Sequence, residues 1–231
     1  MRGLLLRILN GAILLLLVSF ASAMAATPAG SVVAIAGQCF VQSEGKRTPL
    51  KLGDTVNIAD TLDVPANAKL KLRMNDGSVL SIAAGSQVTI AAYTIDADGK
   101  RHDVELSLTQ GLMRAVVAPL DRPARFEVKT AIASATVRST DWFIEAEPGV
   151  VTAAVLVGSV ALTGTATGAS VDIAARHGAS VEAGQNPTLP RLWRQAEFNA
   201  LIARTEPARP RAPPRRATHP TGDDNPTVAV P

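Results

Sequence analysis

Lys69-Leu70-Lys71-Leu72-Arg73-Met74 alternates basic and apolar residues, Asn75-Asp76-Gly77-Ser78 follows, and Val79-Leu80-Ser81-Ile82 turns apolar again. Alternation with period two marks a strand with one buried and one solvated face. Asn, Asp and Gly supply the backbone conformations that tight hairpin turns demand. Residues 69–82 therefore read as a β-hairpin, and the same pattern extends in both directions. Upstream, Val32, Val33 and Ile35 precede Gly37, and Phe40 and Val41 precede a turn at Glu44-Gly45-Lys46. Downstream, Val88, Ile90 and Tyr93 to Ile95 lead through Asp96-Ala97-Asp98-Gly99-Lys100 into Val104, Leu106 and Leu108, which alternate with Asp103, Glu105 and Ser107.

Further strands are predicted at 112–117, 124–129, 135–138, 142–145, 150–157, 159–162, 170–173 and 179–182. The basic face 69, 71, 73 and the acidic face 103, 105 are complementary, and the pattern leaves open whether they lie opposite each other or are both solvated. Many short strands with hardly any helical periodicity between them predict an all-β fold, a sandwich or roll of mainly antiparallel strands. After Gly184 the pattern changes. Leu192 to Ala203 contains good helix formers whose apolar residues fall on two arcs, predicting one short C-terminal helix packed on the β body. Residues 207–231 contain seven prolines with four arginines interspersed. Such a Pro/Arg tail cannot build a core and is expected to be disordered.

The formal charge of +3 divides unevenly along the 231 residues. Arg2 and Arg7 give the first 25 residues +2, residues 191–231 carry seven arginines against four acids, and the body between is −2. This distribution argues against nucleic acid as a partner. Arg2 and Arg7 precede the apolar run Ile8 to Phe20, which ends in Ala21-Ser22-Ala23-Met24-Ala25-Ala26. A basic n-region, an apolar h-region and small residues at the end read as an export signal over residues 1–25. The run falls short of the roughly 20 apolar residues a membrane span requires. The mature chain is expected in the periplasm or outside the cell, with no transmembrane segment after cleavage. One cysteine, Cys39, rules out an internal disulfide framework. It reads as a small buried residue in a strand.

A series of short motifs resembles the FecR domain, named for the iron-dicitrate regulator of Gram-negative bacteria. Gly30-Ser31-Val32 is similar to the family's opening. Gly53-Asp54-Thr55-Val56 with Asp60-Thr61-Leu62 resembles its paired-aspartate block, and Asp76-Gly77-Ser78 with Gly85-Ser86-Gln87-Val88 its turn and following strand. Gln110-Gly111-Leu112-Met113-Arg114 resembles the next strand, Val137-Arg138-Ser139-Thr140-Asp141-Trp142 the signature, and Val157-Gly158-Ser159-Val160 the closing repeat. The order holds over roughly residues 30–184. The resemblance implies an extracytoplasmic β domain that acts as an interaction module. It also implies that the matched positions, Gly53, Asp54, Asp60, Asp76, Gly77, Arg138, Ser139, Thr140, Asp141 and Trp142, are a family signature serving the fold. Two of them depart from the pattern: Ser139 replaces a glycine, which implies strain or an altered turn there, and Trp142 replaces a phenylalanine. A partly buried Arg138 would need a carboxylate such as Asp54, Asp60 or Asp141. Trp142 and Phe143 point to opposite faces of their strand, so that one is a candidate exposed contact.

The organisation expected is a signal peptide at 1–25, a FecR-like β domain at 27–186, a short helical segment at 187–205 and the tail at 206–231. With the N-terminus taken up by the signal, no cytoplasmic segment remains for handling a sigma factor directly. The chain has no nucleophile elbow, zinc-protease helix, phosphate loop or dinucleotide fingerprint, and His102, His177 and His219 lie far apart. No catalytic residue, metal ligand or cofactor is expected. The leading functional expectation is a noncatalytic module of the bacterial cell envelope that binds another envelope protein in a sensory or scaffolding role. The alternative is an envelope-polymer binder whose basic tail contacts anionic peptidoglycan or lipopolysaccharide.

Overall fold

The computed structural model describes residues 26–96, 100–119 and 124–207. The expected signal peptide and nearly all of the Pro/Arg tail lie outside the described residues. Seventeen strands and one helix occupy the rest. In chain order the strands are β1 (Pro28–Ala36), β2 (Phe40–Ser43), β3 (Lys46–Pro49), β4 (Thr55–Asn57), β5 (Thr61–Val64), β6 (Lys69–Met74), β7 (Val79–Ile82), β8 (Ser86–Ile95) and β9 (Arg101–Val116). They continue with β10 (Arg125–Lys129), β11 (Ala133–Val137), β12 (Asp141–Glu147), β13 (Val150–Val157), β14 (Ser159–Gly164), β15 (Ser170–Ala174), β16 (His177–Glu182) and β17 (Arg191–Leu192). The helix α1 spans Gln195–Thr205.

The predicted hairpin is present, with Leu72 opposite Leu80 and Leu70 opposite Ile82 across β6 and β7. Pairing builds two layers. Sheet A runs β4-β1-β6-β7-β9-β12-β13-β16-β17, and sheet B runs β3-β2-β5-β8-β9-β10-β11-β14-β15. All these pairs are antiparallel except β9 with β10. The inner faces interdigitate through Leu72, Leu80, Met113, Trp142 and Val155 from sheet A and Leu62, Val88, Leu106, Phe126 and Leu162 from sheet B, all essentially inaccessible to solvent.

One long strand joins the layers. Residues 101–110 of β9 pair with β8 and β10 in sheet B, and residues 111–116 pair with β7 and β12 in sheet A. The sequence pattern predicts two strands here, one ending near Leu108 and one starting at Leu112; the structure has one strand that turns a corner between sheets. Inward positions are even before the corner (Val104, Leu106, Leu108) and odd after it (Met113, Ala115). Such corners need a bend in the strand. Gly111 supplies it with a φ of 91°, and a Cβ there would lie 2.2–2.6 Å from Ser86. Only glycine fits on both counts.

After β9 the chain adds hairpins to alternate layers: β10 and β11 to sheet B, β12 and β13 to sheet A, β14 and β15 to sheet B, β16 and β17 to sheet A. Each change of layer needs a short crossing. Residues 138–140 make one between β11 and β12, and Gly158 alone makes another between β13 and β14.

The short C-terminal helix is also as predicted in kind, displaced by about one turn. Leu192, expected to start it, instead extends sheet A together with Arg191 as β17. Of the two apolar arcs, the one containing Phe198 and Leu201 packs on the outer face of sheet A.

Candidate functional site

Arg138, Ser139 and Thr140 of the signature form the crossing between β11 and β12, beside the one at Gly158. Thr140 is buried; its carbonyl accepts the Val117 N–H at 2.9 Å and its hydroxyl donates to the Ser159 carbonyl at 3.1 Å. The two crossings are thereby pinned together and to the end of β9. Ser139 is exposed and has no positive φ, so the strain expected from its replacing a glycine is absent. The left-handed residue is Gly158, at a φ of 89°, where a Cβ would sit 2.5 Å from the Ser139 carbonyl oxygen.

Arg138 is exposed at the rim of two shallow surface depressions. Of the three carboxylates named for it, Asp141 is held by Arg114. Its Nε donates to Asp141 Oδ1 at 2.8 Å and its Nη2 to Oδ2 at 2.7 Å, a bidentate pair in which both side chains are more than four-fifths buried. Bonding to Asp141 holds the Arg114 guanidinium still more firmly in its charged form. The other two carboxylates proposed for Arg138 are engaged with backbone: Asp54 accepts the Lys51 N–H at 2.8 Å, and the buried Asp60 accepts the Asn57 N–H at 2.7 Å. Gly53 sits in the turn before Asp54 and donates its N–H to Val32. Asp76 and Gly77 form the predicted turn, where Asp76 accepts from Ser78 N–H and hydroxyl and Ser78 in turn accepts from the Ala118 N–H.

Trp142 and Phe143 do face opposite ways, yet neither is exposed. Trp142 lies in the main core, and Phe143 is covered by α1. That covering identifies the surface the sequence does not announce. On the outer face of sheet A, Ala83, Leu112, Phe143 and Ala154 form an apolar seat for Phe198 and Leu201, flanked by Leu156, Trp193 and Ile202. Burying Phe198 and Leu201 contributes about 3–6 kcal/mol, and an 11-residue helix is marginal without such packing.

Basic groups surround the C-terminal end of the helix. Lys69 Nζ donates to the carbonyls of Ala203 at 2.6 Å and Glu206 at 3.1 Å. Lys71 Nζ meets the Glu206 carboxylate at 2.6 Å, and Arg114 Nη1 reaches it at 3.3 Å. Cations at this end complement the helix dipole. The stripe 69, 71, 73 therefore does not face the acidic stripe 103, 105: its first two lysines hold α1, while Glu105 pairs with Lys129 and Asp103 with Arg125 on sheet B. Arg204 pairs with Glu145, and at the other end Glu197 accepts from Arg191 and from the Arg194 N–H, which pulls its carboxyl below the usual range. Beyond the helix, Val116, Asp141 and Val157 stand side by side in register, with Val116 40% and Val157 60% exposed.

Among the described residues no three His, Cys, Asp or Glu side chains gather to hold a metal. A cleft of about 240 Å³ at one end of the sandwich is lined by Thr109, Ile132, Glu147 and Val151, with no residue of the signature. Cys39 is buried, and burial together with the Asp63 charge pushes its thiol up to about 11.

The fold and its pinned crossings define a two-sheet, all-β domain. Residues 60–161 of the 231 match the FecR protein family. Two crystal structures of a candidate anti-sigma factor from Parabacteroides distasonis, at 1.65 and 2.50 Å resolution, share the fold with a TM-score of 0.51 and 16% identity over 62% of this chain. The match spans 64% and 63% of those chains, less than two thirds of their length. No curated protein matches the sequence.

Proposed function

We propose that this protein is an exported, noncatalytic FecR-domain module that binds another protein of the bacterial cell envelope, in a sensory or scaffolding role. The observation that carries the reading is the division of labour within the domain. The signature residues with described contacts are spent on turns and crossings, while the outer face of sheet A presents apolar residues and a ring of charges suited to protein contact. An exposed apolar row beside a charged cluster is the composition of an interaction surface rather than of a reaction centre. The FecR domain and the fold shared with a candidate anti-sigma factor support a regulatory role for that contact. The sequence over residues 1–25 supports export.

The test has two parts. N-terminal sequencing of the protein recovered from the periplasm is expected to begin near residue 26. Affinity purification from envelope fractions after reversible crosslinking is expected to return one specific envelope protein. Recovery of the uncleaved chain from the cytoplasm, or of a monomer alone after crosslinking, contradicts the proposal.

A further inference from the structure

We infer that α1 is a displaceable latch, and that its seat on the outer face of sheet A is a docking site for an amphipathic helix of a partner protein ending in an acidic residue. The inference rests on the reading of the chain as a protein-binding module and names where and what it binds. Three observations carry it.

First, what the seat recognises is not peculiar to α1. The apolar floor takes two side chains one helical turn apart, Phe198 and Leu201. The basic groups read two main-chain carbonyls, at Ala203 and Glu206, and one carboxylate. Any helix with two large apolar residues at i and i+3 and an acid five residues later satisfies the same contacts.

Second, little of α1 is buried. Of its 11 residues only Phe198, Leu201 and Thr205 are buried, and the Thr205 hydroxyl donates back to the helix's own Leu201 carbonyl. The segment leading to it is solvated, with Leu189 85% and Leu192 61% exposed. Segments with few buried contacts open locally while the rest of a fold stays closed.

Third, the face is larger than the helix that covers it. Val116 and Val157 remain exposed in register with Asp141, which is tied to the same Arg114 that reaches Glu206. A partner chain that runs on past its acidic helix end has apolar surface to gain there that α1 leaves bare.

The experiment uses the full chain and a fluorescent synthetic peptide with the sequence of residues 192–207. Wild type is compared with a latch-open variant, F198D/L201D, whose seat is intact. Binding to the open variant is expected to be saturable and at least about tenfold tighter than to wild type. Adding Lys71→Glu, which reverses the charge facing the peptide's acid, is expected to weaken it by about tenfold or more. Hydrogen exchange on wild type supplies a readout independent of that variant's folding: amides of α1 are expected to exchange at least about 100-fold faster than those of β9 and β12.

Equal binding to both proteins, or no saturable binding to an open variant that keeps the wild-type β signal, overturns the docking site. Helix amides as protected as those of β9 and β12 overturn the latch. A wild-type dimer that dissociates on adding the peptide puts a second copy in the seat and overturns the assignment to a partner. Any of these results alongside one specific envelope protein recovered by crosslinking leaves the module reading standing and removes only the seat.

Discussion

Single residues fix this fold at the places where the chain changes layer. Gly111 combines a left-handed backbone with sub-contact distances to Ser86, so Gly111→Ala is expected to destabilise by about 2–4 kcal/mol, because both conformation and packing are violated. The shift of the denaturant midpoint measures it, with Gly45→Ala, where a Cβ meets nothing within 4 Å, as the milder comparison. Asp141 shows how a signature residue can be needed for a partner that is not its neighbour in sequence. Asp141→Ala leaves a mostly buried Arg114 with only the more distant Glu206 and is expected to cost about 2 kcal/mol. Ser139→Ala, exposed and without a positive φ, is expected to change stability by less than about 0.5 kcal/mol. Cys39 makes a separate prediction. With its thiol pushed up to about 11 and buried, it is expected to react with a thiol reagent at pH 8 only as fast as the protein opens. Rapid labelling of the native protein would contradict that.

Among the elements, hairpins announce themselves and corners do not. β6 and β7 are legible because the alternation, the turn residues and the returning apolar run all agree. The corner in β9 is not, since a change of phase at Gly111 looks the same in sequence whether a strand ends or bends into the other sheet. The candidate surface is harder still. Lys69 and Lys71 are visible as a solvated stripe, but what they face depends on where α1 docks, more than 130 residues away in the chain. Leu112 reads as an ordinary strand residue and Phe143 as one of two candidates for exposure, and only the two-sheet topology reveals that both lie on the outside and need a cover. Arg138 misleads because its place between Val137 and Trp142 suggests burial, whereas it is exposed in the crossing that follows β11.

The helix carries the clearest pH prediction. Glu197 has its carboxyl lowered by Arg191 and the Arg194 N–H, so it supports the helix start above the ordinary carboxylate range, and that support is lost as pH falls through its lowered native value. Acidification is therefore expected to loosen α1 before the sheets unfold. Trp193, 5.6 Å from the Phe198 ring, reports it by fluorescence. The Glu197→Gln variant is expected to lack most of that early acid transition.

For the molecule as a whole, the arrangement places fold-determining contacts and exposed binding surface on different parts of one domain. The sandwich core and its pinned crossings set the shape, and the outer face of sheet A is left with a helix-covered seat beside exposed valines. Sheet B has a contrasting outer face of ion pairs and hydroxyl pairs, such as Lys129 with Glu105 and Thr61 with Thr89. That asymmetry makes the functional proposal directional. The decisive measurement is site-specific photocrosslinking in living cells, with the reactive side chain placed in turn at Val116 and Val157 on sheet A and at Thr136 and Thr163 on sheet B. A single discrete adduct with one envelope protein from the sheet A positions, and none from sheet B, is the predicted result. No adduct from any position, or adducts only from sheet B, would contradict the account.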